Sequence, residues 1–128
     1  MTEKEKKIRK ILVIDDERDV VETLALRLES FGYDVKWADS AHEGIEKAAV
    51  LKPDLIFLDF TIGEETGLEV LYQLKRDMNS VVGQIPVIML TGRDEFEGDC
   101  LAAGAAGYIT KPFDLFQLKE VLVKFLPN

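Results

Sequence analysis

The sequence predicts an α/β domain: a doubly wound, five-stranded parallel sheet in the strand order 2-1-3-4-5. Short apolar runs alternate along it with longer segments of helical period, the signature of repeated βα units. Three of the runs, ILVI, LIFL and VIML, are apolar without interruption, as strands covered by helices on both faces must be. The length, 128 residues, suits one domain with a real core and is short for two.

The first strand is read at residues 10–14, followed by a helix whose apolar stripe is Val20, Leu24, Leu28 and Phe31. Gly32 stands where a C-terminal cap belongs. After a second strand at 33–38, Ser40 and Glu43 have the spacing of a capping box. They open a weaker helix with Ala41, Ile45, Ala48 and Ala49, closed by Lys52 and Pro53. The third strand is read at 54–58, and Thr66 with Glu69 caps a helix carrying Leu68, Leu71 and Leu74. A fourth strand lies at 86–90. The segment 94–103 is the weakest helix, because Gly98 sits inside it and its apolar stripe is thin, and it is expected to be the least stable. The fifth strand, 107–110, leads to Asp114 and Gln117, a looser capping pair, and to the stripe Leu115, Leu118, Leu122 and Phe125.

Composition narrows the function. No segment is long or apolar enough to span a membrane, and the charged residues 1–9 form a lead-in without an apolar signal region, ahead of a domain at 10–128. A lone Cys100 excludes a disulfide framework or a thiolate metal cluster and fits a reducing cytoplasm, where it reads as a small core residue. With 16 basic against 24 acidic residues the net charge is -8, which repels a phosphate backbone; no direct nucleic-acid binding and no membrane contact are expected. The basic residues Lys4, Lys6, Lys7, Arg9 and Lys10 lie with Glu3 and Glu5 and read as solvated.

Polar residues gather at the carboxyl ends of the strands: Asp15 and Asp16 after the first, Asp59 after the third, Thr91 after the fourth and Lys111 after the fifth. Open α/β sheets bind ligands at such ends, where strand order reverses. In the order 2-1-3-4-5 the first and third strands are neighbours, about 4.8 Å apart, so Asp15, Asp16 and Asp59 are expected in one acidic pocket. Three close carboxylates repel one another unless a proton or cation intervenes, and a hard divalent ion such as Mg²⁺ suits them. A short hydroxyl on the next strand and a long amine on the one beyond, Thr91 and Lys111, have the lengths to reach a group attached to Asp59. His42, the single histidine, falls at a helix start away from these ends and is a poor general base.

With ILVIDDE, PDLIFLDF, TGLEVL, IPVIMLTG and GAAGYITKPF in place, the chain resembles the response-regulator receiver domain over residues 10–126. The resemblance implies a flavodoxin-like three-layer sandwich and a signalling switch rather than an enzyme with a foreign substrate. It implies Asp59 as phosphoacceptor, Asp16 as a direct Mg²⁺ ligand, Asp15 as a ligand through water, and the Thr61 backbone carbonyl as a further ligand. Thr91 would be the switch hydroxyl, Tyr108 the aromatic that rotates with it, Lys111 the ion-pair partner of the phosphoryl group, and the bond to Pro112 cis. The donor would be a sensor histidine kinase or histidine phosphotransfer protein, and the readout face the one holding the fourth and fifth helices. By the same resemblance Thr61 and Arg93, two positions beyond Asp59 and Thr91, would flank the path of the hydrolytic water and tune its rate.

The chain departs from the pattern in three places. Gly63 stands where the family commonly has proline, which predicts a looser loop. The stretch from Thr91 to Lys111 is shorter than the family norm by about half a helical turn. The sequence runs to Asn128, just past the last helix, and is expected to hold the receiver-like domain alone, whether as a stand-alone protein or as one domain of a larger one. Of the rival readings, a haloacid-dehalogenase-type phosphatase needs Asp-x-Asp after one strand, where this chain has adjacent Asp15 and Asp16. A flavin module needs a hydroxyl-rich loop where DDERD stands. A non-phosphorylated docking module has no need of the acidic set with Lys111.

Overall fold

The computed structural model describes residues 8–77, 79–92 and 97–127. Its elements are β1 (Lys10–Ile14), α1 (Arg18–Ser30), β2 (Asp34–Ala38), α2 (Ala41–Leu51), β3 (Leu55–Asp59), β4 (Thr61–Ile62), β5 (Glu65–Thr66), α3 (Gly67–Leu74), α4 (Val81–Gln84), β6 (Val87–Thr91), α5 (Glu97–Ala102), β7 (Gly107–Thr110) and α6 (Leu115–Phe125). The main sheet runs β2-β1-β3-β6-β7, and every pair in it is parallel. Counting only these five strands, the order is 2-1-3-4-5; the short antiparallel ribbon β4-β5 shifts the labels. Among the described residues no helix is long and apolar enough to cross a membrane.

Alternation along the strands divides the core in two. Leu12, Ile14, Ile56, Leu58, Val87 and Met89 face one way and pack with residues of α2, α3 and α5, including the buried Cys100. Ile11, Val13, Leu55, Phe57, Ile88 and Leu90 face the other way, toward α1 and α6. Residues of β3 and β6 are buried throughout, as their unbroken apolar runs require.

Local signals position the ends. Ser40 and Thr66 each accept the N–H three residues on, from Glu43 at 3.1 Å and Glu69 at 3.3 Å. The Asp114 and Gln117 pair, the looser of the three in sequence, makes the full reciprocal box, with bonds of 2.8 and 3.2 Å. Gly32, at φ +97°, ends α1 in a Schellman motif: Gly32 N–H donates to Glu29 and Tyr33 N–H to Leu28.

Several expectations shift. In α1 the buried residues are Val21, Leu24 and Leu28; Val20 is half-buried, and Phe31 is exposed because it lies past the last helical turn. In α6, Leu118 and Leu122 are buried, while Leu115, in the first turn, is exposed. The strands read at 54–58 and 86–90 each lie one residue further on, so Asp59 and Thr91 are the last strand residues and not the first of a loop. The loop expected to be loose is folded into the β4-β5 ribbon, with Gly63 at φ +59° in the first position of a two-residue hairpin loop, where glycine is favoured. Arg9, counted with the lead-in, packs on the domain: its carbonyl accepts from Asp34 and its guanidinium donates to the carbonyl of Pro127 at 2.8 Å.

The helix expected at 94–103 is six residues, Glu97–Ala102; residues 94–96 lie outside the described ones. A Cβ built on Gly98 meets nothing within 4 Å. Gly98→Ala should therefore stabilise the domain by about 0.5–1 kcal/mol, through lower entropy of the unfolded chain. Urea unfolding checks this, and a lower midpoint in the variant contradicts it.

Candidate functional site

At the carboxyl end of the sheet the neighbouring strands β1 and β3 deliver Asp15 and Asp59, both buried. Asp15 continues the ladder past β1, its N–H donating to Ala38 at 3.1 Å. Its carboxylate accepts the Glu17 N–H at 2.9 Å. From the edge strand β7, Lys111 reaches back across β6: its Nζ lies 3.2 Å from Asp15, 3.3 Å from Asp59 and 3.4 Å from Glu17. The Lys111 N–H donates to the Thr91 carbonyl at 2.7 Å, which holds the lysine's backbone beside β6; the Lys111–Pro112 bond is cis.

Carboxylate oxygens of Asp15, Glu17 and Asp59 lie within 4.8 Å of one another. The sequence places Asp16 in this group; in the structure Asp16 stands outside it, exposed, with Oδ2 accepting the Gly63 N–H at 2.8 Å. The reason is geometric. The chain bends at Asp16, and the Asp15 carboxylate closes that turn on the Glu17 N–H, which brings residues 15 and 17 together while Asp16 meets the loop at Gly63. Glu17, at φ -94° and ψ 106°, is itself extended. Strand periodicity stops at Ile14 and carries no signal for Glu17, whose approach follows from the turn. Gly63 also gains a meaning: a proline there has no N–H to give Asp16.

Among the described residues charge at the site is unbalanced, with one ammonium facing three carboxylates. Burial first, and then the neighbouring Asp15, raise the Asp59 carboxyl to a pKa of about 7, against the opposing pull of Lys111. Burial alone would lower Lys111, but Asp59 and Asp15 outweigh it and hold the ammonium charged. An anionic cluster of hard oxygen donors with this excess charge fits a divalent cation of the Mg²⁺ kind.

The remaining residues surround this core. Thr91 is buried at the end of β6. Thr61, exposed in β4, places its N–H 3.5 Å from Asp59 Oδ1, a long contact. Tyr108, half-buried, lines a groove between α5 and α6 together with Thr110, Val121 and Phe125. His42 is exposed in the first turn of α2, where it pairs with Glu46. Arg93 lies outside the described residues.

Comparison with known proteins agrees with this geometry. The family described as response regulator receiver domain matches residues 11–123. The chain is 42% identical over 107 residues to the alkaline phosphatase synthesis transcriptional regulatory protein PhoP of Bacillus subtilis, a match covering 82% of this chain and 43% of that protein. It is 38% identical over 124 residues to the phosphate regulon transcriptional regulatory protein PhoB of Pseudomonas aeruginosa, covering 92% and 53%. The chain thus spans about half the length of these relatives. Among solved structures, the chemotaxis protein CheY4 of Vibrio cholerae superposes with a TM-score of 0.84 at 29% identity, covering 94% of this chain and all of that one.

Proposed function

The chain belongs to the response regulator receiver domain family, and from that premise we propose that it accepts a phosphoryl group on Asp59 from a phosphohistidine of a sensor kinase or phosphotransfer protein. The observation that carries the reading is the convergence of Lys111 on Asp59 and Asp15, at 3.3 and 3.2 Å, across the strand between. An Asp59 carboxylate oxygen attacks phosphorus, the bond from phosphorus to the histidine nitrogen breaks, and the imidazole leaves. The Lys111 ammonium, already at Asp59, offsets charge on the transferring oxygens, and the Thr91 hydroxyl takes up a bond to the group once attached. Hydrolysis of the acyl phosphate resets the domain, with Thr61 and Arg93 tuning its rate.

Asp15 and Asp59, with the Thr61 carbonyl and with Asp16 once its carboxylate leaves the Gly63 N–H, would hold Mg²⁺, which supplies positive charge that a dianionic donor otherwise lacks at this acidic site. Lys111 is poised to exchange its carboxylate partners for the phosphoryl oxygens. That exchange biases a two-state equilibrium read out at the α5-β7-α6 face, where Tyr108 lines the groove. The output is a downstream partner or a further domain, and the setting is the cytoplasm.

Incubation with acetyl phosphate should add the mass of one phosphoryl group when Mg²⁺ is present and none in excess EDTA. Asp59→Asn should remain unmodified in both. Equal labelling in EDTA, or a fully labelled Asn variant, contradicts the proposal.

A further inference from the structure

Trp37, the single tryptophan, lies on β2, a strand that contributes no carboxylate to the site, yet it touches the site directly. Its indole Nε1–H donates to the backbone carbonyl of Asp15 at 2.8 Å. The β1-β2 register pairs Ile14 with Ala38, and Asp15 N–H still donates to Ala38. By the same parallel pattern the Asp15 carbonyl would next accept from the backbone N–H of residue 40. There, however, the chain has left the sheet, because Ser40 is the N-cap of α2. The indole supplies the bond in its place.

Trp37 is itself held from two sides. The Arg18 guanidinium, on the first residue of α1, lies 5.3 Å from the ring centroid, within cation–π range. Lys47 of α2, paired with Glu43 at 2.7 Å, donates to the Trp37 carbonyl. One residue thus links β2, α1 and α2, through its ring and its backbone carbonyl, to the residue whose carboxylate meets Asp59 and Lys111.

We infer that Trp37 is a positioning residue for the cation site, its indole N–H fixing the backbone of the acidic turn at residues 15–17 so that the Asp15 carboxylate is set before a divalent ion arrives. The inference rests on the reading of Asp15 and Asp59 as Mg²⁺-holding residues. Partners that orient ligands from behind commonly control metal affinity by about 10- to 100-fold when removed. Without the N–H the Asp15 carbonyl loses this donor in a half-buried place, and the turn becomes free to move.

The test is calorimetric titration with Mg²⁺ of wild type, Trp37→Phe, and protein carrying benzothienylalanine at position 37. That analogue keeps the bicyclic ring and lacks only the N–H, so it decides the matter if the Phe variant fails to fold. Both substitutions should weaken Mg²⁺ about tenfold. Val35→Ala, on the same strand and packed in the apolar core away from Asp15, should lower the urea midpoint and leave Mg²⁺ affinity unchanged. A folded position-37 variant with wild-type affinity overturns the inference, as does an equal loss in Val35→Ala. A wild type that takes up no Mg²⁺ overturns the reading of the site and this inference with it.

Discussion

Replacing Gly67 by alanine should cost about 3 kcal/mol of stability, the largest loss expected from any change of a single methyl group in this domain. Gly67 opens α3, and its N–H donates to the Phe60 carbonyl. Its backbone is not in the left-handed region, so the requirement is space and not conformation. A Cβ there would sit 2.2 Å from the Asp59 carbonyl oxygen and 3.0 Å from both Phe60 Cα and the Met89 Cε. Two of those atoms are backbone, and neither can turn aside as a flexible side chain would. Relief requires moving either the start of α3 or the peptide that carries Asp59, so phosphoryl acceptance should slow along with the loss of stability. Urea denaturation and the rate of labelling by acetyl phosphate check both parts. A Gly67→Ala protein as stable as Gly98→Ala contradicts this account of the close approach.

The second large effect is a gain. With no divalent ion present, Asp59→Asn should stabilise the domain by about 2–4 kcal/mol at pH 8 and by almost nothing near pH 4, at about 1.4 kcal/mol per unit of pKa difference. The folded-state pKa of Asp59, about 7, stands above the 3.8 of a free carboxyl. Below pH 4 the group is protonated in both folded and unfolded chains and contributes no difference. As pH rises from about 4 to about 7 the unfolded chain ionises while the folded one retains its proton, so native stability falls, and above 7 the full penalty is present. Asparagine has no such charge to bury beside Asp15. Urea midpoints of both proteins in EDTA across this range should diverge with rising pH. Parallel curves would mean that the Asp59 carboxylate sits comfortably where it is. Saturating Mg²⁺ should narrow the gap by binding the native wild type.

How far the sequence disclosed this can be judged element by element. β1 and β7 are found at the bounds read from KILVI and GYIT, because each apolar run is bounded by polar or turn residues. The sequence marks the ends of β3 and β6 one residue short, because a charged or hydroxyl residue looks like the start of a loop. In the folded chain the ladder continues through them, with Phe60 N–H on Leu90 and Lys111 N–H on Thr91. The β4-β5 ribbon in TIGEET carries no long apolar alternation, and α4 is a single turn whose one local sign was Ser80, which caps Gly83 N–H at 2.9 Å. Neither is long enough for periodicity to register.

At the site, strand-end positions and neighbouring strands were enough to bring Asp15, Asp59 and Lys111 together. They did not separate Asp16 from Glu17, a distinction that depends on the bend at Asp16 and the bond from the Glu17 N–H to the Asp15 carboxylate. Nor did they disclose Gly67 or Trp37, whose roles come from contacts with residues far away in the chain.

The most direct measurement is of which carboxylate carries the phosphoryl group. Borohydride reduces an aspartyl phosphate to homoserine, so treatment of the chain after acetyl phosphate and Mg²⁺, followed by peptide sequencing, reads the modified position. The account predicts homoserine at residue 59, absent when EDTA replaces Mg²⁺. Homoserine at residue 15 or 16, or a label that resists borohydride and resides on His42, would contradict it.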